Sequence, residues 1–185
     1  MNIYDFDDTI FAGDSSKKFI LYSLKRHPFL VISCLFKGGW ELICGSSIGM
    51  VKSKMFSFVK DIPNWDDYIN NFIIKYQKNI KNFYLENQQK DDVIISASFD
   101  FIIEPFCRSL GIKNIIATKF DLKKGSIIGR NCKGPEKIKR FREIFPNAKV
   151  ANAYSDSLTD IPMFEIAKKA YLVKKDQLIP YEINN

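Results

Sequence analysis

Apolar residues along this chain change their rhythm near residue 89. Between residues 14 and 88 they recur at three- and four-residue steps, the spacing of one face of a helix. Phe19, Ile20, Tyr22 and Leu24 follow Ser15 and Ser16, either of which suits a helix cap, and the run ends at Pro28. Trp65, Tyr68, Phe72, Ile73, Tyr76, Ile80, Phe83 and Tyr84 predict one long helix in "NWDDYINNFIIKYQKNIKNFYLENQ", its aromatic stripe facing a core. No strand candidate stands out in this region. Beyond it, short apolar runs alternate with helical patterns. The runs "DVIIS", "NIIAT", "AKVANAY" and "AYLV" read as strands. "FDFIIEPFCRSLG" reads as a helix stopped by Gly111, "GPEKIKRFREIF" as one with Pro135 in its first turn, and "LTDIPMFEIAKK" as a third. "FDLKKGSIIG" predicts a hairpin around Lys124-Gly125, and Asn2 to Phe6 a first strand.

Strands alternating with helices predict an α/β fold built on a parallel sheet with right-handed crossovers. The expected organisation is an α/β core over residues 1–12 and 89–185, interrupted by an all-helical insert over 13–88. The most apolar stretch, His27 to Met50, is broken by Lys37, Glu41 and several glycines. Its uninterrupted run falls short of the roughly 18 residues of a spanning helix, so a buried or interfacial helix pair is expected there.

Composition narrows the partner. The 185 residues carry 28 Lys and Arg against 21 Asp and Glu, a net charge of +7, which suits an anionic partner: a phosphate ester, a membrane surface or nucleic acid. Nucleic acid is set aside, because the basic residues are spread over many helices without a recognised motif. Cys34, Cys44, Cys107 and Cys132 have no CxxC spacing, and no basic leader precedes the first strand. Reduced thiols and a cytoplasmic location are expected.

The chemistry concentrates where strands end. In a parallel sheet, ligand sites form beyond the carboxyl ends of the strands. "DFDDT", Asp5 to Thr9, follows the first strand, Ser96 closes "VIIS", "SDSLTD" follows "VANAY", and Lys137 lies on the helix opened by "GPEK". Asp5, Asp7, Asp156 and Asp160 together would place about four negative charges in one crevice, a conflict that a divalent cation removes. All-oxygen ligation by few protein groups favours Mg²⁺, which keeps several waters and also takes a substrate phosphate oxygen. Lys137 adds a second positive charge.

These four motifs, in this order, resemble the haloacid dehalogenase superfamily of aspartyl-phosphate phosphohydrolases, a Rossmann-like fold. "SASFDFIIEPFCRSLG" and "AYSDSLTDIPM" look most like its subfamily IB, the phosphoserine phosphatase branch, whose helical C1-type cap is inserted between the first two motifs. The resemblance implies a phosphatase acting on a small phosphate monoester. It makes Asp5 the nucleophile and Asp7 the general acid and base, with Thr9 holding the loop and positioning Asp7. Ser96 and the N–H of Ala97 would bind the phosphoryl group with Lys137, which alone among Lys133, Lys137 and Lys139 follows the family's GxxK spacing. Asp156, the Asp5 carboxylate and the Asp7 carbonyl would ligate Mg²⁺, with Asp160 behind them holding metal water or Lys137.

Substrate choice falls to the cap and rim, where Thr9, Asp14, Lys52, Lys54 and Thr159 are the candidates. Asp14 stands where phosphoserine phosphatases carry a longer Glu for the substrate amine, and no arginine lies between His27 and Cys107 to take a carboxylate. Lys52 or Lys54 could stand in, without the bidentate fork. From Ile10 to Gln89 there are eleven Lys and Arg against six Asp and Glu, so five of the seven net charges lie there. Basic and apolar together suit a surface that meets anionic lipid or a lipid phosphate. Trp40 and Trp65 read as packing. Two other functions use the same pocket: phosphotransfer to an alcohol, and a non-enzymatic phospho-accepting receiver domain. A receiver has neither a second acid two residues after its aspartate nor a long cap.

Overall fold

The computed structural model describes residues 1–183; Asn184 and Asn185, at the end of the expected core, lie outside the described residues. The core is a six-stranded sheet in the order β3-β2-β1-β6-β7-β8, made of β1 (Asn2–Tyr4), β2 (Val93–Phe99), β3 (Asn114–Thr118), β6 (Val150–Ser155), β7 (Ala167–Lys174) and β8 (Gln177–Tyr181). The first five are parallel, and β8 runs antiparallel on the β7 edge. Between β3 and β6 lie a small hairpin, β4 (Phe120–Asp121) and β5 (Ser126–Ile127), and helix α7 (Pro135–Ile144). Gly125 turns that hairpin with φ 66°, which glycine adopts without a steric penalty.

Alternation along each strand sorts side chains between two cores. Ile3, Val93, Ile95, Ile116 and Ala153 face α7 and α8 (Ile161–Glu165), packing with Phe141, Met163 and Phe164. Tyr4, Ile94 and Ala117 face the other way, toward α6 (Asp100–Ser109) and the helices between β1 and β2. Those helices are α1 (Ser15–Leu24), α2 (Pro28–Ile43), α3 (Ile48–Phe56), α4 (Trp65–Tyr76) and α5 (Asn82–Asn87). Phe19 is their hub, with the rings of Phe56, Phe58, Tyr68, Phe72 and Phe101 all within 6.4 Å of its own.

Several local expectations are corrected. Asp14, not Ser15 or Ser16, caps α1, accepting from the Lys17 N–H at 2.9 Å. The single long helix is broken: a 3₁₀ turn over Gln77–Asn79 separates α4 from α5, and Lys81 N–H donates to the Ile10 carbonyl at 2.8 Å. The apolar period persists across the break because Ile80 and Tyr84 still face the core. "EIAKK" does not continue a helix. α8 stops at Glu165, and Lys168 and Lys169 already belong to β7. β8 went unpredicted; its Pro180 sits on an exposed edge, where a missing N–H costs little.

Candidate active site

β1 occupies the centre of the sheet, and both neighbours are in register with it: Tyr4 lies opposite Ile94 of β2 and opposite Tyr154 of β6. Asp5 therefore emerges one residue past Tyr4, Ser96 two past Ile94, and Asp156 two past Tyr154. Register alone puts them side by side at the carboxyl edge, at the point where the chain leaves β1 in one direction and later returns on its other flank. The Asp5 N–H donates to the Tyr154 carbonyl at 2.9 Å, fixing the start of the loop. They line a cleft of about 220 Å³ together with Asp7, Asp8, Asp14, Ala97, Lys133, Lys137, Ser157, Thr159 and Asp160.

Lys137 enters from the first turn of α7, whose start is set by Gly134 and Pro135. Its ammonium is buried and donates to Asp5 Oδ1 at 2.7 Å and Asp160 Oδ2 at 2.6 Å. Desolvation works against its charge, but the two carboxylates outweigh it and raise the Lys137 pKa. Asp160 is held further by Ser155 Oγ at 2.8 Å. Burial pushes Asp5 up to about 6 against the pull of Lys137, and burial, then Asp5 and Asp8, push Asp156 up to about 6 as well.

The four carboxylates differ in how far they are engaged. Asp160 is committed to Lys137, and Asp7 accepts from the Ser15 N–H at 2.6 Å and from Ser98 Oγ. Among the described residues, no three His, Cys, Asp or Glu side chains converge as a ready-made metal cluster. What remains is Asp5 Oδ2, which accepts no hydrogen bond among the described residues, and Asp156, whose carboxylate accepts only a long 3.4 Å contact from Thr9 Oγ1. Two hard oxygen donors with unmet charge, both with raised pKa, suit Mg²⁺, which takes one or two carboxylates and keeps its waters. The residues present fit that ion.

The remaining candidates divide. Thr9 is fully buried and bonds to Asp156, its Oγ1 accepting the Asp156 N–H at 2.9 Å, so it neither positions Asp7 nor meets substrate. Asp14 lines the cleft, although one of its oxygens is taken by the α1 N-terminus. Thr159 is on the rim, its N–H donating to Ser157 Oγ at 3.2 Å. Lys52, on α3, reaches the edge of the site by donating to the Ala97 carbonyl at 2.9 Å and to Asn131 Oδ1 at 3.1 Å, and its burial lowers its pKa. Lys54 points away, beside Phe36 and Trp40 on the outer side, because residues two apart on a helix do not share a face. Trp40 is not packed either: it is exposed on α2.

The sequence reads Ser98 as a helix cap, and the structure corrects this: Phe99 precedes α6 and Ser98 bonds to Asp7. β2 runs on to Phe99 with a register break after Ile95. Ser98 N–H also donates to Ser96 Oγ at 3.0 Å, and Ser16 Oγ lies 3.0 Å from Ser98 Oγ. The signal available was the "SAS" spacing, which puts both hydroxyls on the same side of the strand.

The fold has close counterparts. A structure of a Bordetella pertussis Tohama I protein of unknown function superposes with a TM-score of 0.72 at 16% identity, covering 92% of this chain and 87% of that one. A structure titled as a phospho-aspartyl intermediate analogue of phosphoserine phosphatase superposes with a TM-score of 0.54 at 20% identity, covering 91% and 83%. In sequence, protein CicA of Caulobacter vibrioides is 38% identical over 88 residues, a match spanning 44% of this chain and about two fifths (40%) of that relative. The family model of haloacid dehalogenase-like hydrolases matches residues 3–165, from the first strand through the Asp156–Asp160 loop and α8. With Asp5, Ser96, Lys137 and Asp156 brought to one sheet edge inside that span, the chain belongs to the haloacid dehalogenase-like hydrolase family.

Proposed function

We propose that this hydrolase is a Mg²⁺-dependent phosphomonoesterase that works through an aspartyl-phosphate on Asp5. The observation that carries the reading is the bridge from the buried Lys137 to Asp5 Oδ1 and Asp160, which fixes Asp5 and leaves its Oδ2 facing the cleft. Asp5 Oδ2 attacks phosphorus as the bond to the ester oxygen breaks. Asp7, its pKa raised chiefly by burial, gives the leaving oxygen its proton. A water then attacks the phosphoryl group, Asp7 takes its proton, and Asp5 is released with inorganic phosphate. The Ser96 hydroxyl accepts from Ser98 N–H and keeps its own proton to donate to a phosphoryl oxygen, beside the Ala97 N–H. Asp5, Asp156 and the Asp7 carbonyl would hold Mg²⁺, which when bound neutralises charge on the phosphoryl oxygens.

The substrate is a phosphate monoester whose remaining group sits against Asp14, Lys133, Ser157 and Thr159 at the mouth of the cleft. Turnover of p-nitrophenyl phosphate by the wild type and by Asp5→Asn, each with Mg²⁺ and with EDTA, tests the reading. Only the wild type with Mg²⁺ turns over. Equal turnover by Asp5→Asn refutes the mechanism.

A further inference from the structure

On α2, Val31, Cys34 and Gly38 turn inward, and Gly38 lets the helix press against α3. A Cβ at Gly38 would clash with Met55 Cγ and lie 3.2 Å from the Val51 carbonyl. The opposite side should then be polar, as on an ordinary surface helix. Instead Phe29, Ile32, Phe36, Trp40 and Ile43 fall at three- and four-residue steps and point outward. Phe29 is 88% exposed, Phe36 76%, Trp40 68% and Ile43 79%. Around Gly39, Ile32, Phe36, Trp40 and Ile43 line an open apolar groove of about 460 Å³ with Leu35. Scattered surface apolars need no explanation, but a continuous stripe of this kind marks an interaction site.

The charges at its border choose the occupant. Lys25 and Arg26 precede the helix, Lys37 lies on its flank, and Lys54 projects beside Phe36 and Trp40. The one acid on the helix, Glu41, accepts from Ser46 Oγ at 2.6 Å. A second copy docked by the same face would bring these cations against one another, whereas anionic headgroups would neutralise them. Phenylalanine and tryptophan on the apolar side with lysine and arginine at the edges is the chemistry of a helix lying in a membrane interface. No helix among the described residues is long and apolar enough to cross a membrane. We infer that the outer face of α2 docks this protein on an anionic lipid bilayer, with α2 lying in the plane of the headgroups. The docked hairpin would include α3, whose Lys52 borders the cleft. Docking requires nothing of the chemistry on Asp5, so each can fail alone.

The test is sedimentation of the full chain with sucrose-loaded vesicles, either phosphatidylcholine alone or an equal mixture with phosphatidylglycerol. Binding to the anionic vesicles exceeds binding to neutral ones and weakens at high salt. Phe36→Ser with Trp40→Ser lowers it by about tenfold or more, and Lys37→Gln by about fivefold, with p-nitrophenyl phosphate turnover unchanged in both. In a Trp65→Phe background, Trp40 emission shifts to the blue on adding anionic vesicles. Absence of sedimentation with anionic vesicles, equal sedimentation by the double variant, or an unmoved Trp40 spectrum overturns the inference. So does a dimer in solution that the double variant breaks while vesicles bind nothing.

Discussion

In the cleft, Lys137 and Asp160 are 2% and 3% exposed, while on the outside of α2 Phe29 and Ile43 are 88% and 79% exposed. Each region reverses the usual placement of charged and apolar side chains. The reversals differ in how they are compensated. The deepest charges in the cleft are paired, Lys137 bridging Asp5 and Asp160 within hydrogen-bond distance. The stripe on α2 is left exposed among the described residues, and each of its large side chains forgoes about 1.5–3 kcal/mol of burial. A buried charge network is thus part of folding here, while the apolar stripe is left for something that the fold itself does not supply.

The strongest way to break this comparison is Lys137→Met. It strands the buried Asp5 and Asp160 carboxylates, so stability falls by about 3–5 kcal/mol and turnover is lost. Adding Asp160→Asn recovers part of the stability and none of the activity, as urea melts with a parallel assay would show. If Lys137→Met melts like the wild type, the network is not a folding element.

Next come two neighbouring glycines with opposite expectations. Gly38→Leu overpacks the α2–α3 contact and costs about 1–3 kcal/mol. Among the described residues no atom lies within 4 Å of a Cβ added at Gly39, so Gly39→Ala is neutral or stabilising by up to about 1 kcal/mol of helix propensity. Thermal melts of the two decide whether the inner side of α2 is packed and the outer side open.

Ser98→Ala removes a hydrogen bond to Asp7, lowering kcat by about tenfold, or about 1.4 kcal/mol. KM changes little, and the acid–base limbs of the pH profile move. A structural role alone would leave those limbs in place.

The smallest effect is on pH dependence. Asp156 has its pKa raised from 3.8 to about 6, so between those values the folded state binds more protons than the unfolded state. Without metal, its contribution therefore falls as pH rises from about 4 to about 6. The Tm of Asp156→Asn in EDTA should decline less over that window than the wild type's. Mg²⁺ at pH 7 should raise the wild-type Tm and leave the variant's nearly unchanged. Identical slopes would mean that Asp156 is relaxed without a cation.

The strands could be read because apolar runs such as "VIIS" and "NIIAT" are bounded by breakers, and β-strand register then carries Asp5, Ser96 and Asp156 to neighbouring positions. Lys137 could be read from Gly134 and Pro135, which fix the start of α7. What could not be read depends on distant partners. The break at Ile80 is set by pairing with Phe11, and the local period continues through it. Ser98's role depends on how far β2 extends past its bulge. Lys54 was misplaced because a lysine's spacing does not say which side of α3 faces the cleft. Trp40 was misread because the same apolar period describes a core-facing and an outward stripe.

The central place of β1 also bears on synthesis. Ile3 must pair with Val93, some 90 residues later, and with Ala153, 150 residues later. At roughly 5–20 residues per second, the ribosome delivers the first of these partners only after about 5–18 seconds. The strand that leads into Asp5 thus emerges before both neighbours and waits for them. In the interval the helices around Phe19 can pack on contacts within the insert, so the growing chain should gain its helical insert before its sheet.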